Sequence, residues 1–314
     1  MNPFQAVEPE TLQWIEAVAA LGLRPVYELT VEAARANFTA AMTAAPSTRK
    51  VTTGDAVLDG VPVRIARPEG LQGDVPAAMY FHGGGWVLGN KAAHDRFIKE
   101  LAYAAEAAVV YVDFALSPEA RFPVALEQCY AATKWVAARG GELGIDGTRL
   151  AVVGDSAGGG MATVVAILAK RRGGPAIRQQ TLICPVTDAA FDTESYRQFG
   201  SGYPLTDEAM KWFWKHYAPE EAERRSPLAS PLRAEVEDLR GLPEAMVITA
   251  EIDVLRDEGE AYAHKLMEAG VKVAGTRYLG TVHNFMLPAA MAKSALARKA
   301  MAQIGAGLRE ALRP

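Results

Sequence analysis

The pentapeptide Gly154-Asp155-Ser156-Ala157-Gly158 has the Gly-x-Ser-x-Gly pattern of a turn that exposes a nucleophilic serine. An apolar run at residues 150–153 precedes it, and an amphipathic run at residues 161–170 follows it. A tight strand-to-helix turn holds the serine hydroxyl in a strained, exposed position, and glycine avoids the clash that a Cβ atom would make there. The amino end of the following helix favours negative charge on the group that the serine attacks. The alternative interpretation is a glycine-rich turn without chemistry.

A serine hydroxyl is a weak nucleophile and needs an adjacent base. In hydrolases with this turn, the chain order is Ser, then Asp or Glu, then His, which leaves His216, His264 and His283 of the five histidines. His264 lies in a helical run, and His216 lies in an aromatic insertion. His283 lies in a loop after the last predicted strand, at the end of the sheet where Ser156 is expected. We therefore predict that His283 is the base.

The carboxylate that orients the base should follow an earlier strand. Residues 245–250 read as a strand and lead into Glu251 and Asp253. Asp253 is the best placed, with Glu251 and Asp257 as alternatives, and Asp257 is expected to cap the next helix. Asp253 would accept the Nδ1–H of His283, fix its tautomer and stabilise the imidazolium ion.

Acyl transfer also needs donors for the oxyanion. The segment His82-Gly83-Gly84-Gly85-Trp86 follows an apolar run at residues 77–81. A triple glycine lets backbone N–H groups approach a developing oxyanion, as in the corresponding loop of lipases and esterases. Each such donor contributes about 3–4 kcal/mol to the transition state. A flexible glycine turn is the alternative interpretation.

Composition limits the other possible functions. The chain has 314 residues, of which 50% are hydrophobic and 22% charged, which favours a sizeable core over disorder. The net charge of −4 gives no basic surface for nucleic acid. No apolar run approaches the ~20 residues that span a bilayer, and the amino end lacks a secretory pattern. We expect a cytoplasmic protein with buried, reduced Cys129 and Cys184, and without a metal, a cofactor or a membrane partner.

The remaining pattern predicts one α/β domain over residues 1–314. Residues 50–67 alternate around a turn and predict a hairpin. Strands then alternate with helices, which indicates a mainly parallel sheet with helices on both faces and a ligand site at the carboxyl ends of the strands. The predicted strands are residues 77–81, 108–113, 150–154, 180–184, 245–250 and 273–278, and helical runs include residues 125–139 and 257–269.

The interval between Cys184 and Gly241 is too long for a simple crossover and is rich in aromatic residues. A compact lid or cap is the natural interpretation of such an insertion. Its aromatic residues could form a small separate core, the wall of an apolar substrate pocket, or both. The candidates for the pocket wall, including one aromatic residue beside the glycine loop, are Trp86, Phe199, Trp212 and Trp214.

These motifs resemble those of the hormone-sensitive-lipase-like esterases, also called bacterial lipolytic family IV. The resemblance covers nearly the whole chain and rests on residues 82–85, 154–159, 253–258 and 283–285. It implies an α/β-hydrolase fold and carboxylesterase activity on short to medium acyl chains. It also implies a helical cap from about 1–45, joined by helices from the insertion at about 186–225.

The resemblance further implies that the N–H groups of Gly84, Gly85 and Ala157 form the oxyanion hole, and that His82 organises the glycine loop. It allows a homodimer through the edge of the last strand, at residues 273–278. The chain has Val254 where the family often has Pro, Asn284 where it has Asp or Gly, and Gly160 where it has Asn. None of these differences removes a catalytic group, although Asn284 and Gly160 would alter local loop positions.

The sequence thus predicts a serine carboxylesterase that hydrolyses a small-molecule ester through an acyl-enzyme on Ser156. An acyltransferase or an amidase with the same three residues is an alternative. A ligand-binding receptor on this scaffold is a second alternative from a different class. Receptors of that kind tend to lose the catalytic histidine, whereas this chain has His283.

Overall fold

The computed structural model describes residues 7–43 and 46–314 and contains one eight-stranded sheet. The amino-terminal helical region predicted over residues 1–45 therefore falls in part outside the described residues, at residues 1–6 and 44–45. In chain order the strands are β1 (Val51–Leu58), β2 (Val61–Pro68), β3 (Val75–Phe81), β4 (Ala108–Val112), β5 (Ile145–Asp155), β6 (Gln179–Ile183), β7 (Glu244–Ile252) and β8 (Val273–Val282).

The strands are ordered β1-β2-β4-β3-β5-β6-β7-β8 across the sheet. β1 and β2 form the predicted antiparallel hairpin, and β2 pairs antiparallel with β4. All other neighbours are parallel. Since parallel strands end at the same edge, the carboxyl ends of β3, β5, β7 and β8 lie together, and the predicted mainly parallel sheet is confirmed.

Helices connect these strands and cover both faces of the sheet. In the described part of the chain they are α1 (Pro9–Ala20), α2 (Val31–Met42), α3 (Lys91–Ala105), α4 (Val124–Arg139), α5 (Ala157–Arg171), α6 (Glu194–Phe199), α7 (Asp207–Tyr217), α8 (Glu221–Arg224), α9 (Val236–Leu239), α10 (Arg256–Glu268) and α11 (Ala295–Ala311).

The core has two halves because successive residues of a strand point to opposite faces. Met79 packs in the half that α4, α5 and α10 cover, whereas the next residue, Tyr80, packs in the half covered by α3 and α11. All five residues of β4 are buried. This double covering explains why the central strands are continuous apolar runs in the sequence.

The two cysteines are buried and unpaired, as predicted for reduced thiols. Cys129 lies in α4, and Cys184 directly follows β6. Among the described residues, none forms a helix with both the length and the apolar character that a bilayer crossing needs.

Candidate active site

Ser156 lies between the end of β5 and the start of α5, at the predicted strand-to-helix turn. Its backbone is held at φ 55° and ψ −122°, a conformation that side chains rarely adopt and that is typical of functional sites. Its N–H donates to the carbonyl of Ile183 at 2.8 Å. A Cβ atom on Gly158 would lie 2.0 Å from the carbonyl oxygen of Phe81, so glycine is required where α5 approaches the sheet. The turn therefore presents the Ser156 hydroxyl at the edge of the sheet.

Ser156, His283 and Asp253 form a hydrogen-bonded row. The Nε2 atom of His283 lies 3.0 Å from the Oγ atom of Ser156, and its Nδ1 atom lies 2.8 Å from Oδ2 of Asp253. The second oxygen of Asp253 accepts the N–H of Leu255 at 3.0 Å. The carboxylate favours the tautomer with hydrogen on Nδ1, which leaves Nε2 free to accept the hydroxyl proton. Asp253 follows β7 and His283 follows β8, so parallel strand ends bring the three residues together.

The two alternative carboxylates are engaged elsewhere. Glu251 accepts the N–H of Gly280 at 2.7 Å, within the pairing of β7 with β8. Asp257 accepts the N–H of Ser195 at 2.7 Å and so holds the start of α6. The expectation that Asp257 caps the following helix is wrong, because α10 begins at Arg256 without a side-chain cap.

The glycine loop after β3 offers backbone donors beside Ser156. Gly84 and Gly85 have φ values of 105° and 60°, and the carbonyl of Gly84 accepts the N–H of Leu88 at 2.8 Å. Within residues 7–43 and 46–314, the hydrogen bonds include none donated by the N–H groups of Gly84, Gly85 or Ala157. These three N–H groups are therefore available to a ligand at Ser156, as an oxyanion hole requires.

His82 is buried beneath the glycine loop, and its contacts are with that loop and with neighbouring rings instead of with Ser156. Its ring is stacked between those of Tyr111 and Phe114, at centroid distances of 5.2 and 4.2 Å. Its Nδ1 atom lies 2.7 Å from the carbonyl oxygen of Gly83. Burial holds the pKa of His82 well below its usual value, so the ring stays neutral.

An apolar cavity of about 280 Å³ opens above Ser156 and His283. Both parts of the predicted cap contribute to its wall, the amino-terminal helices on one side and the insertion on the other. Its aromatic residues are Trp14 of α1, Phe38 of α2 and Phe213 of α7. The wall also includes Val26, Leu29, Ala34, Met42, Leu88, Pro204, Leu205, Ala209 and Met210.

The four aromatic residues predicted for the pocket wall do not line this cavity in the described part of the chain. Trp86 is buried and stacks on Tyr217 at 4.0 Å with a 3° interplanar angle, and Trp214 packs against it at 4.7 Å. Trp212 instead contacts His216 at 4.3 Å. The contacts of Trp86 with Trp214 and Tyr217 hold α7 against the glycine loop, whereas the ring contacts of Trp212 are to residues of α7 itself. The prediction that Trp86, Trp212 and Trp214 line the pocket is therefore wrong.

The prediction that Phe199 lines the pocket is also wrong. Its ring packs on Tyr203, with the guanidinium group of Arg256 5.2 Å from its centroid. The sequence did not single out the aromatic wall residues Trp14, Phe38 and Phe213. For Phe213 a signal was present, because its neighbours on the wall, Ala209 and Met210, precede it by four and three positions. This helical spacing was the available signal, because it places the three side chains on one face of α7.

The amino-terminal helical region also holds the glycine loop. Arg35 of α2 donates through Nε to the carbonyl of Val87 at 2.9 Å and through Nη2 to the carbonyl of Ser117 at 2.9 Å. It also forms an ion pair with Glu119 at 2.7 Å. Since Trp86 contacts α7 and Val87 contacts α2, the insertion and the amino-terminal region are attached to the same loop.

One group of possible metal ligands overlaps this site. The ligand atoms of Cys184, Asp253 and His283 lie within 4.8 Å of one another. Burial, and then the charge of Asp253, raises the pKa of the Cys184 thiol well above its usual value. Metals bind the thiolate, so the state of Cys184 disfavours metal binding here.

Known proteins share both the sequence and the fold. A family model described as an α/β-hydrolase fold matches residues 78–287. An ethyl acetate hydrolase of Pseudomonas putida is 38% identical over 288 residues, covering 88% of this chain and 89% of the relative. The crystal structure of a thermostable esterase from Pseudomonas putida is 45% identical, with a TM-score of 0.96 and 99% of both chains covered. A hyperthermophilic esterase from Pyrobaculum calidifontis is 37% identical, with a TM-score of 0.89 and 98% and 99% of the two chains covered.

Proposed function

The chain belongs to the α/β-hydrolase family, in its hormone-sensitive-lipase-like branch, and is a carboxylic ester hydrolase; we propose that Ser156 is its nucleophile. The observation that carries this proposal is the continuous row from Ser156 through His283 to Asp253, with contacts of 3.0 and 2.8 Å. A row of this kind turns a weakly nucleophilic hydroxyl into a reactive one.

In the first half of the proposed reaction, Oγ of Ser156 attacks the ester carbonyl carbon while Nε2 of His283 takes the hydroxyl proton. The carbonyl oxygen becomes an oxyanion and accepts hydrogen bonds from the N–H groups of Gly84, Gly85 and Ala157. His283 then gives the proton to the leaving alcohol oxygen as the C–O bond breaks. The product at this stage is an acyl group bonded to Ser156.

In the second half, water attacks the acyl carbon, and His283 accepts the water proton. The second tetrahedral intermediate collapses, the acid leaves, and the proton returns to Ser156. Asp253 stays ionised throughout and stabilises the imidazolium form of His283. The proposed reaction needs no group beyond these side chains, the backbone donors and water.

We propose that the preferred acyl groups are short to medium in length. The cavity wall is mostly aliphatic and aromatic, and its volume of about 280 Å³ is at the lower end of ligand pockets. The ethyl acetate hydrolase among the relatives supports a small acid and a small alcohol.

A panel of p-nitrophenyl esters of increasing acyl length, with and without an organophosphate, tests this function. We expect hydrolysis of the shorter esters, complete loss of activity after organophosphate treatment, and a single phosphorylated residue, Ser156, by mass spectrometry. An unlabelled, inactive protein would favour the receptor alternative. Product analysis with a competing alcohol or an amide substrate distinguishes the acyltransferase and amidase alternatives.

Replacement of Phe213 by alanine is expected to shift the acyl preference towards longer chains. The ratio of kcat/KM for a long ester to that for a short ester should rise about tenfold, because burial of roughly two more methylene groups contributes about 0.8 kcal/mol each. If the substitution also disturbs the glycine loop, kcat/KM for both esters falls by the same factor, and the ratio does not change for that reason. Trp212→Ala is the matched control and should leave the ratio unchanged; a larger shift in that variant would restore the pocket role of Trp212.

A homodimer through residues 273–278 remains a proposal. β8 is an edge strand, and the first seven of its residues are exposed or half-buried. The outer backbone groups of such a strand can pair with a second copy of the chain.

A further inference from the structure

Asp155, the residue before Ser156, collects hydrogen bonds from three separate segments. It is fully buried. Its Oδ1 atom accepts the hydroxyl of Tyr80 at 2.5 Å and the N–H of Gly83 at 2.9 Å. Its Oδ2 atom accepts the side-chain N–H of Asn284 at 2.7 Å. One carboxylate thus contacts β3, the glycine loop and the loop that bears His283.

The surroundings of Asp155 are built for a carboxylate. The N–H of Gly83 can only donate, and a Cβ atom on that residue would lie 2.2 Å from Oδ2 of Asp155. Burial, and then the charge of Asp155, raises the pKa of Tyr80 well above its usual value, so the phenol keeps its proton and donates it. Bonds from such donors to a charged acceptor are stronger than neutral ones.

Asn284 satisfies two requirements of its position. Its backbone is left-handed, with φ 51°, a conformation that Asn tolerates better than most residues. The turn is closed by hydrogen bonds from Phe285 to Val282 at 3.1 Å and from Leu287 to Asn284 at 2.8 Å. The side-chain amide then reaches Asp155. Gly at this position would lose the donor, and Asp would place a second carboxylate against Asp155.

We propose that Asn284 is a positioning residue, which holds the His283 loop in register with the glycine loop through Asp155. Asp155 is covalently adjacent to Ser156, so its hydrogen bonds fix the base and the oxyanion donors relative to the nucleophile. The inference rests on the proposed function, because a residue that positions His283 matters only if His283 is the base. Asn284 itself takes no part in the chemistry. Its effect is on geometry, where small displacements of a catalytic group change rates strongly.

The test compares Asn284→Asp and Asn284→Gly with the wild-type protein. Asn284→Gly keeps the left-handed backbone and removes the donor; we expect kcat to fall about tenfold, with KM changed less than about twofold. Asn284→Asp keeps the size of the side chain and should lower kcat further at neutral pH, because two carboxylates repel.

The pH dependence of Asn284→Asp separates positioning from a general loss of structure. The neighbouring Asp155 raises the pKa of the introduced carboxyl, and its protonated form can donate to Asp155 as the amide does. The ratio of variant to wild-type kcat should therefore rise as the pH falls. In both proteins Tyr80 and the N–H of Gly83 contact Asp155, and the buried His94 and Tyr111 are within range of its charge.

Gln72→Glu is the matched control, because it adds the same charge at an exposed loop position. Thermal unfolding of each variant shows whether it is folded. A pH-independent ratio, or an unchanged kcat in both Asn284 variants, would overturn the positioning role while leaving esterase activity and Ser156 labelling intact. If the wild-type protein is neither active nor labelled, the proposed function fails and the role of Asn284 fails with it.

Discussion

Replacement of Ser156 by alanine is expected to lower kcat for a p-nitrophenyl ester by a factor on the order of 10⁶. In the proposed mechanism the oxygen of this hydroxyl forms the acyl-enzyme, and Nε2 of His283 lies 3.0 Å from it. Without the hydroxyl, the cavity and the proposed backbone donors at Gly84, Gly85 and Ala157 would still bind the ester. A small residual rate above that of water, with a similar affinity for substrate, is therefore expected.

Stopped assays corrected for spontaneous hydrolysis measure this loss, and labelling with a fluorophosphonate should disappear in parallel. Ser201→Ala is a suitable control, since Ser201 is exposed and lies in a loop of the insertion. Substantial turnover by the Ser156→Ala protein would refute the nucleophile assignment, and with it the acyl-enzyme mechanism.

Replacement of Asp253 by asparagine is expected to lower kcat by up to about 10⁴-fold. Oδ2 of Asp253 accepts from Nδ1 of His283 at 2.8 Å. An amide that turns its NH₂ group towards His283 would favour the tautomer with hydrogen on Nε2. That nitrogen could no longer accept the proton of Ser156. KM should change little, because Asp253 is buried and does not line the cavity.

Two variants provide the comparison for Asp253→Asn. Glu251→Gln and Asp257→Asn make the same chemical change at the alternative carboxylates, which contact Gly280 and Ser195. Each should retain kcat within a few-fold of the wild-type value in the same assay. A small loss in Asp253→Asn together with a large one in Glu251→Gln would transfer the orienting role to Glu251.

The sheet and the ends of its strands could be read from the sequence, for a physical reason. Central strands are buried on both faces, so they are apolar runs, and polar residues directly after them must lie at one edge. Asp253 and His283 follow β7 and β8 in this way. The strand-turn-helix pattern at Ser156 is equally local, because it depends on glycines within a few positions.

The pocket wall could not be read in the same way. Trp212, Phe213 and Trp214 are consecutive and all large, and only the rotation of α7 about its axis decides which one faces Ser156. Their larger size favoured the tryptophans as wall residues. In the structure Trp214 packs against Trp86 and Tyr217, and Phe213 is the residue that faces the cavity. The contacts of Asp155 were hidden for a different reason, since their donors are separated by 72 to 129 positions along the chain.

The attachment of both α2 and α7 to the glycine loop limits how this protein can diversify. Trp86 packs against aromatic rings of α7, and the carbonyl of the next residue, Val87, accepts a hydrogen bond from Arg35 of α2. Replacing these helices with those of a relative is therefore expected to displace the backbone donors proposed for the oxyanion, even where every reacting side chain stays in place. We therefore expect selectivity and turnover to change together in such chimaeras, so that those made for a new substrate also need matched residues at positions 86 and 87.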